Sequence, residues 1–295
     1  MRSLTRQTIL VFGGSGFLGT HLINRLIELK AHPVIADLTN QVDITNSAQI
    51  NRLIGKGWDA IINLAGVSGT VSNQRKVQAS FSGNVLGAIN ILEAAKKLSR
   101  PPVLFFSNSR QEYGLPRYLP VNETHPAQPI NLYGVHKLAI TQLAQLYARN
   151  YQLPTITFRT SNVYGPSHDR QVKDYNIVNQ WLKSSTITLF GPGRQLRDYL
   201  FIDDWVKAVI QSLTTPKAYG QIFNIGYGQG LSLLAMAKSI TRLTGAKVIK
   251  KSWPKEYQAV ETGSYISDIS KAKKLLGWHP AIDFTTGVSK TFAQQ

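Results

Sequence analysis

Short, uninterrupted apolar runs alternate along this chain with longer stretches in which apolar residues recur every three or four positions. Thr8–Phe12 is apolar toward both faces and predicts a buried strand, and Gly19–Lys30 has helical spacing and ends before the His32-Pro33 break. Val34–Ala36 predicts a second strand ending at Asp37, and Ala60–Leu64 a third, followed by a Gly66–Gly69 loop. Asn84–Leu98 predicts a helix that stops at Arg100-Pro101-Pro102, then a strand over Val103–Ser107, a long helix over Leu132–Tyr151 and a strand over Thr155–Arg159. Beyond Tyr164-Gly165-Pro166 the pattern loosens, with helices near Ile177–Lys183, Asp203–Leu213 and Leu231–Leu243, a strand over Gln221–Ile225 and a turn at Gly191-Pro192-Gly193. Strands alternating with helices of this length predict an α/β fold, a doubly wound parallel sheet with a smaller mixed α/β C-terminal part. We expect a dinucleotide-binding domain over residues 1–167, rejoined by 200–228, and a second domain over 168–199 and 229–295.

Composition narrows the function classes. With 295 residues and 43% hydrophobic content, the chain can bury a full core. Its longest apolar runs fall far short of a bilayer span, and the glycine turn after Phe12 cuts the first one too early for a signal peptide. Cysteine is absent, which excludes disulfides, thiolate metal sites and cysteine nucleophiles. A cytoplasmic protein without membrane insertion is expected, and no metal site. The formal charge of +17 is unusual, yet the basic residues are dispersed, with the densest groups at Lys247–Lys255 and Lys271–Lys274. They form no helix-long stripe and match no nucleic-acid motif, so a solvated surface that attracts anionic small molecules is expected rather than nucleic-acid binding.

The candidate chemistry begins at Gly13, Gly16 and Gly19, which follow the first strand directly and open a helix. Glycine permits the tight turn and the approach of backbone amides to a pyrophosphate, and the helix N-terminus adds positive partial charge. Asp37 ends the second strand, where a carboxylate accepts hydrogen bonds from an adenosine ribose and repels a 2′-phosphate. Leu38, Thr39 and Asn40 add no cation to welcome that phosphate, so NAD is expected over NADP.

Tyr133 and Lys137 are four apart at the start of the long helix and share a face. As a base at neutral pH, a tyrosine needs its pKa lowered by roughly three pH units, about 4 kcal/mol. An ammonium at ~4–5 Å supplies on the order of 3–4 kcal/mol at an effective dielectric near 20. Ser109, beyond the Val103–Ser107 strand, could share the proton with Tyr133. His136, beside Lys137, is expected to face solvent.

Several stretches together carry a resemblance over nearly the whole chain. They are Gly13-Gly-Ser-Gly-Phe-Leu-Gly19, Asp59-Ala-Ile-Ile-Asn-Leu-Ala-Gly66, Asn84-Val-Leu-Gly, Ser107-Asn-Ser-Arg-Gln-Glu-Tyr-Gly114 and Tyr133-Gly-Val-His-Lys137. Arg159-Thr-Ser-Asn-Val-Tyr-Gly-Pro166, Arg197-Asp-Tyr-Leu-Phe-Ile-Asp-Asp204, Phe223-Asn-Ile-Gly226 and Asp268-Ile-Ser-Lys-Ala with Leu276-Gly-Trp-His-Pro280 complete the series. The chain resembles the extended short-chain dehydrogenase/reductase family, in its nucleotide-sugar epimerase/dehydratase group. The resemblance implies a Rossmann fold, Ser109, Tyr133 and Lys137 as catalytic residues, and a pyrophosphate cradle of Gly13, Gly16, Phe17, Leu18 and Gly19. It implies that Asp43 and Ile44 contact adenine, that Leu64, Ala65 and Gly66 line the cofactor's ribose side, that Asn162 and Arg197 hold a nucleotide-diphosphate sugar, and that the second domain binds that sugar nucleotide. Arg197 has a structural alternative, an intrachain pair with Asp198 or Asp203.

Family dehydratases resemble one another in carrying acidic residues one or two positions after the catalytic Ser or Thr; here those positions are Arg110 and Gln111, with Glu112 offset by one. A nucleotide-sugar 4-epimerase is therefore the leading expectation, working by transient oxidation at C4 and serving polysaccharide biosynthesis. A 4-keto-6-deoxy nucleotide-sugar reductase is the alternative, favoured by the compact chain and the short Asp37–Asp43 segment; an NAD-binding sensor is a distant third. In the loop before Asp268, Gln258 and Glu261 stand where many relatives carry Arg and Asp, which leaves the nucleotide open. Resemblance also implies a homodimer paired through the helices Asn84–Leu98 and Leu132–Tyr151.

Overall fold

Strand β1 (Thr8–Phe12) shows why the sheet is buried on both sides. Its alternate side chains point to opposite faces: Ile9 and Val11 enter one apolar core, Leu10 and Phe12 the other. Ile62 and Ile61 divide in the same way, as do Phe105 and Phe106, so each strand helps to hold two helical layers together. The computed structural model describes residues 3–167 and 177–294; residues 1–2, 168–176 and 295, including the start of the expected 168–199 segment, lie outside the described residues.

After β1 come α1 (Phe17–Glu28), β2 (His32–Ala36), α2 (Ser47–Ile54), β3 (Ala60–Asn63), α3 (Thr70–Arg75), α4 (Val77–Phe81), α5 (Gly87–Lys96), β4 (Val103–Ser109), α6 (Leu132–Tyr151) and β5 (Thr155–Thr160). The C-terminal portion adds β6 (Asn162–Tyr164), α7 (Ile177–Leu182), β7 (Thr186–Phe190), β8 (Leu196–Arg197), β9 (Tyr199–Phe201), α8 (Ile202–Thr214), β10 (Gln221–Ile225), β11 (Leu231–Ser232), α9 (Leu233–Thr244), β12 (Lys247–Lys251), α10 (Lys255–Gln258), α11 (Ser270–Leu276) and α12 (Phe284–Phe292). The main sheet runs β2-β1-β3-β4-β5-β10 with every pairing parallel. The chain leaves β1 to one side for β2 and returns to the other for β3, which opens a crevice at the C-terminal strand ends, where doubly wound sheets bind ligands. The expected Rossmann-type α/β architecture is the one observed.

Some elements differ from the sequence expectation. The helix expected over Asn84–Leu98 begins as a π-helical stretch, Ser82–Leu86, before α5. Leu231 and Ser232 form a short strand before α9 starts. The unpredicted β12 is Lys-Val-Ile-Lys-Lys, with only two apolar residues; it forms because it pairs in parallel with β7, outside the main sheet.

Candidate active site

The turn from β1 into α1 sets the first wall. Gly13 has φ +73°, and a Cβ there would lie 2.8 Å from the Ala65 amide nitrogen. A Cβ on Gly19 would overlap the carbonyl oxygens of Gly13 and Gly14, so helix and turn are packed backbone against backbone. Gly16 caps α1 without a side chain, leaving the first helical amides without a side-chain acceptor. Gly13, Gly16, Phe17, Leu18 and Gly19 line a cleft of about 620 Å³. Leu64, Ala65 and Gly66, after β3, form its next wall. Small residues and unpaired amides at a helix start fit a dinucleotide's pyrophosphate.

Asp37 lies beside this turn. Its carboxylate accepts from the Ser15 amide at 2.9 Å and the Thr39 amide at 3.1 Å. Burial opposes ionisation, but the hydrogen bonds from Thr39 and Ser15 outweigh it and hold the carboxyl below its ordinary pKa. Asp43 is exposed and bends back to accept from the Thr45 amide at 2.9 Å, while Ile44 is buried beneath Gly87. Neither of the latter two side chains lines the cleft.

The reacting side begins at Ser109, the last residue of β4. Its hydroxyl accepts from the Gln111 amide at 3.2 Å and favours the ionised form of the Tyr133 phenol. Asn131 caps α6 through the Gly134 amide and thereby orients the first turn, which carries Tyr133. One turn on, the buried Lys137 ammonium donates to the Ser107 carbonyl at 2.9 Å and sits 5.7 Å from the Tyr133 ring centroid. Ser109, Tyr133 and Lys137 all line the cleft.

The electrostatics differ from the expectation of a phenol made acidic by lysine. Burial pushes the Tyr133 phenol up to about 12; the Ser109 hydroxyl opposes this and the Glu112 charge adds to it. Burial also lowers Lys137 to about 8, against the attraction of Glu112. Taking both groups out of water costs each its charged form, and within the protein alone this outweighs their proximity.

Asn162 also lines the cleft. The buried Arg197 points to neither Asp198 nor Asp203: its Nη2 meets both Glu261 carboxylate oxygens, at 2.6 and 2.7 Å. Asp198 is instead taken by the Tyr227, Gly228 and Ser267 amides. His136 overturns its expectation, being buried, with its Nδ1 2.9 Å from the Ser80 hydroxyl. It forms part of a polar cluster with Asn73 and Asn84 under the loop after β3. Helical position gave only its neighbour Lys137; no local signal shows that the Val77–Phe81 helix covers that face. Arg110 and Tyr199 are among the further residues that line the cleft and to which the sequence assigned no binding role. Arg110 directly follows Ser109, which was the available signal. Among the described residues, no three His, Asp or Glu are placed to hold a metal.

This fold and this cleft belong to a known class. The sequence pattern of the NAD dependent epimerase/dehydratase family matches residues 9–226, and the chain belongs to that family. It is an NAD-dependent epimerase of the extended short-chain dehydrogenase/reductase type, with NAD as its cofactor. It is similar to a putative UDP-glucose 4-epimerase of Methanocaldococcus jannaschii, at 33% identity over 96% of each chain. Among solved structures it resembles the UDP-glucose 4-epimerase of Thermotoga maritima with UDP-glucose, at a TM-score of 0.88 and 26% identity over 97% of this chain and 98% of that one. It also resembles the UDP-glucuronic acid 4-epimerase of Bacillus cereus in complex with UDP-glucuronic acid and NAD, at a TM-score of 0.84 and 25% identity with the same coverage.

Proposed function

We propose that this protein is a nucleotide-sugar 4-epimerase that works through Ser109, Tyr133 and Lys137. The observation that carries the reading is that Ser109, Tyr133 and Lys137, the last one helical turn behind the tyrosine, share the wall of a cleft that begins at a pyrophosphate cradle. Tyr133 Oη takes the proton of the C4 hydroxyl, Ser109 Oγ shares that hydrogen bond, and Lys137 holds the phenol's surroundings positive. When bound, oxidised NAD supplies a reversible hydride acceptor and a positively charged ring. Ionising a phenol of pKa about 12 at neutral pH costs about 7 kcal/mol. One cation at ~5 Å contributes on the order of 3 kcal/mol at an effective dielectric of 20, so Lys137 needs a second positive charge beside Tyr133. After the keto sugar turns over within the cleft and presents the other face of C4 for return of the hydride, Tyr133 Oη gives the proton back to the C4 oxygen.

In this reading Gly13, Gly16, Phe17, Leu18 and Gly19 hold the pyrophosphate, Asp37 the adenosine ribose, Asp43 and Ile44 the adenine, and Leu64, Ala65 and Gly66 the remaining ribose side. Asn162, at the end of the 1–167 portion, and Arg197, from the 168–199 portion, hold the substrate diphosphate, with phosphate oxygens replacing the Glu261 carboxylate on Arg197. A second copy of the chain covers the exposed apolar side chains Val77, Phe81, Leu86 and Val135, which lie on the segment leading into α5 and on α6.

The test uses purified protein with no added cofactor, incubated with UDP-glucose or UDP-glucuronic acid. The 4-epimer is expected by NMR, and NAD is expected in the supernatant after denaturation. Tyr133→Phe should lower turnover at least ~1,000-fold while retaining NAD. Full activity in that variant, or stoichiometric consumption of NADH without epimer, would overturn the proposal.

A further inference from the structure

Arg110 is a cation in the wrong place for a purely structural residue. It is only 6% exposed, lines the cleft and is joined by one peptide bond to Ser109. Its Nη1 donates to the Thr262 hydroxyl at 2.9 Å, and its guanidinium lies 5.2 Å from the centre of the Tyr265 ring. No described carboxylate pairs with it. The nearby Glu261 has both oxygens engaged by Arg197, so two buried guanidiniums share one carboxylate. Burial, then the like charge of Arg197, lowers Arg110 to about 10. Burying a charge without a partner is costly, and a folded protein keeps such a group where a ligand supplies the missing charge.

We propose that Arg110 receives a carboxylate at C6 of the sugar, which makes a nucleotide-linked hexuronic acid the preferred substrate. The inference rests on the 4-epimerase reading, because that reading puts C4 at Ser109 and Tyr133. C6 is two bonds from C4, about 2.5 Å away, whereas the diphosphate leaves from C1 across the ring. Arg110, which lines the same cleft as Ser109 and Tyr133, is the cation assigned to a C6 substituent, and Arg197, on β8, is left for the diphosphate. A guanidinium presents a planar fork of donors that matches a carboxylate, and a neutral hydroxymethyl group would leave that charge unanswered. The specificity follows from desolvation: the site rejects the ligand that fails to pair its buried group.

Calorimetric binding of UDP-glucuronic acid, UDP-glucose and UDP to the NAD-loaded enzyme tests this without requiring turnover. The wild type should bind the uronate at least ~10-fold tighter than the hexose. In Arg110→Leu the ratio of those two affinities should fall to near one, and Arg110→Lys should restore part of it. Equal weakening of all three ligands in Arg110→Leu would assign Arg110 to the diphosphate or to structure and overturn the proposal. A wild type that binds uronate no better than hexose overturns it with no variant needed. If the uronate preference holds but no sugar nucleotide is turned over, the 4-epimerase reading fails while the carboxylate site stands.

Discussion

Lys137 shows how a residue proposed for the chemistry can burden the fold. Its ammonium is buried, its pKa drawn down to about 8, and its described hydrogen-bond acceptor is the Ser107 carbonyl. Between about pH 8 and its ordinary value near 10.4, the folded apo-protein binds fewer protons than the unfolded chain, so this residue's contribution to stability rises with pH across that window. Lys137→Met should therefore stabilise the apo-protein at pH 7 by on the order of 1 kcal/mol and flatten the stability profile above pH 8, while lowering turnover at least ~100-fold. Urea unfolding at pH 7 and pH 9.5 checks the sign; a variant less stable at pH 7 would show that the bond to Ser107 outweighs the burial of charge. The Tyr-x-x-x-Lys spacing was legible because helical geometry alone puts those side chains on one face. The direction of their pKa shifts was not, since burial is set by what covers the helix.

At the scale of elements, the turn after β4 is locked from behind. Glu112 is fully buried, its carboxylate accepts from Arg159 Nε on β5 at 2.8 Å and from the Thr141 hydroxyl on α6 at 3.0 Å. Asn108 links that same hydroxyl to the Lys137 carbonyl, at 2.6 and 3.0 Å. Ser109 and Lys137 are thus held in register by one buried polar network, and Glu112 faces away from the cleft, where a dehydratase-type acid would be needed. Arg159→Met should destabilise the protein by about 3–5 kcal/mol, because it leaves Glu112 charged and unpaired. Adding Glu112→Leu should recover much of that loss in a double-mutant cycle followed by denaturant midpoint. Strictly additive losses would mean that the ion pair does not couple the turn after β4 to β5. Neither partner had a sequence signal for this pairing, since 47 residues separate them.

At the scale of the whole molecule, Val77, Phe81 and Val135 stand out because they are exposed apolar side chains on adjoining surfaces, and Phe81 is 51% exposed where its ring meets buried His136. Isolated exposed hydrophobes are ordinary, but neighbouring ones mark a docking face. Light scattering should report a dimer for the wild type. Phe81→Glu combined with Val135→Lys should give a monomer that still folds, by circular dichroism. A wild type that is monomeric at micromolar concentration refutes the dimer proposal directly. No described helix is long and apolar enough to cross a membrane, so the exposed face is not a membrane span.

The sequence by itself determined the order of the six main-sheet strands and of α1, α5, α6, α7, α8 and α9, because apolar period is a local property, and it determined the glycine turn, because only a missing Cβ allows β1, α1 and the loop after β3 to meet so closely. It also determined the Tyr133–Lys137 face and the position of Ser109 at a strand end. Tertiary structure alone decided which charges are buried and with whom. It set Arg197 on Glu261, Arg159 on Glu112 and His136 on Ser80, and it left Arg110 facing the cleft without a carboxylate. The physical reason is range: secondary structure follows from neighbours a few positions away, whereas desolvation and ion pairing depend on residues that only the folded chain brings into contact.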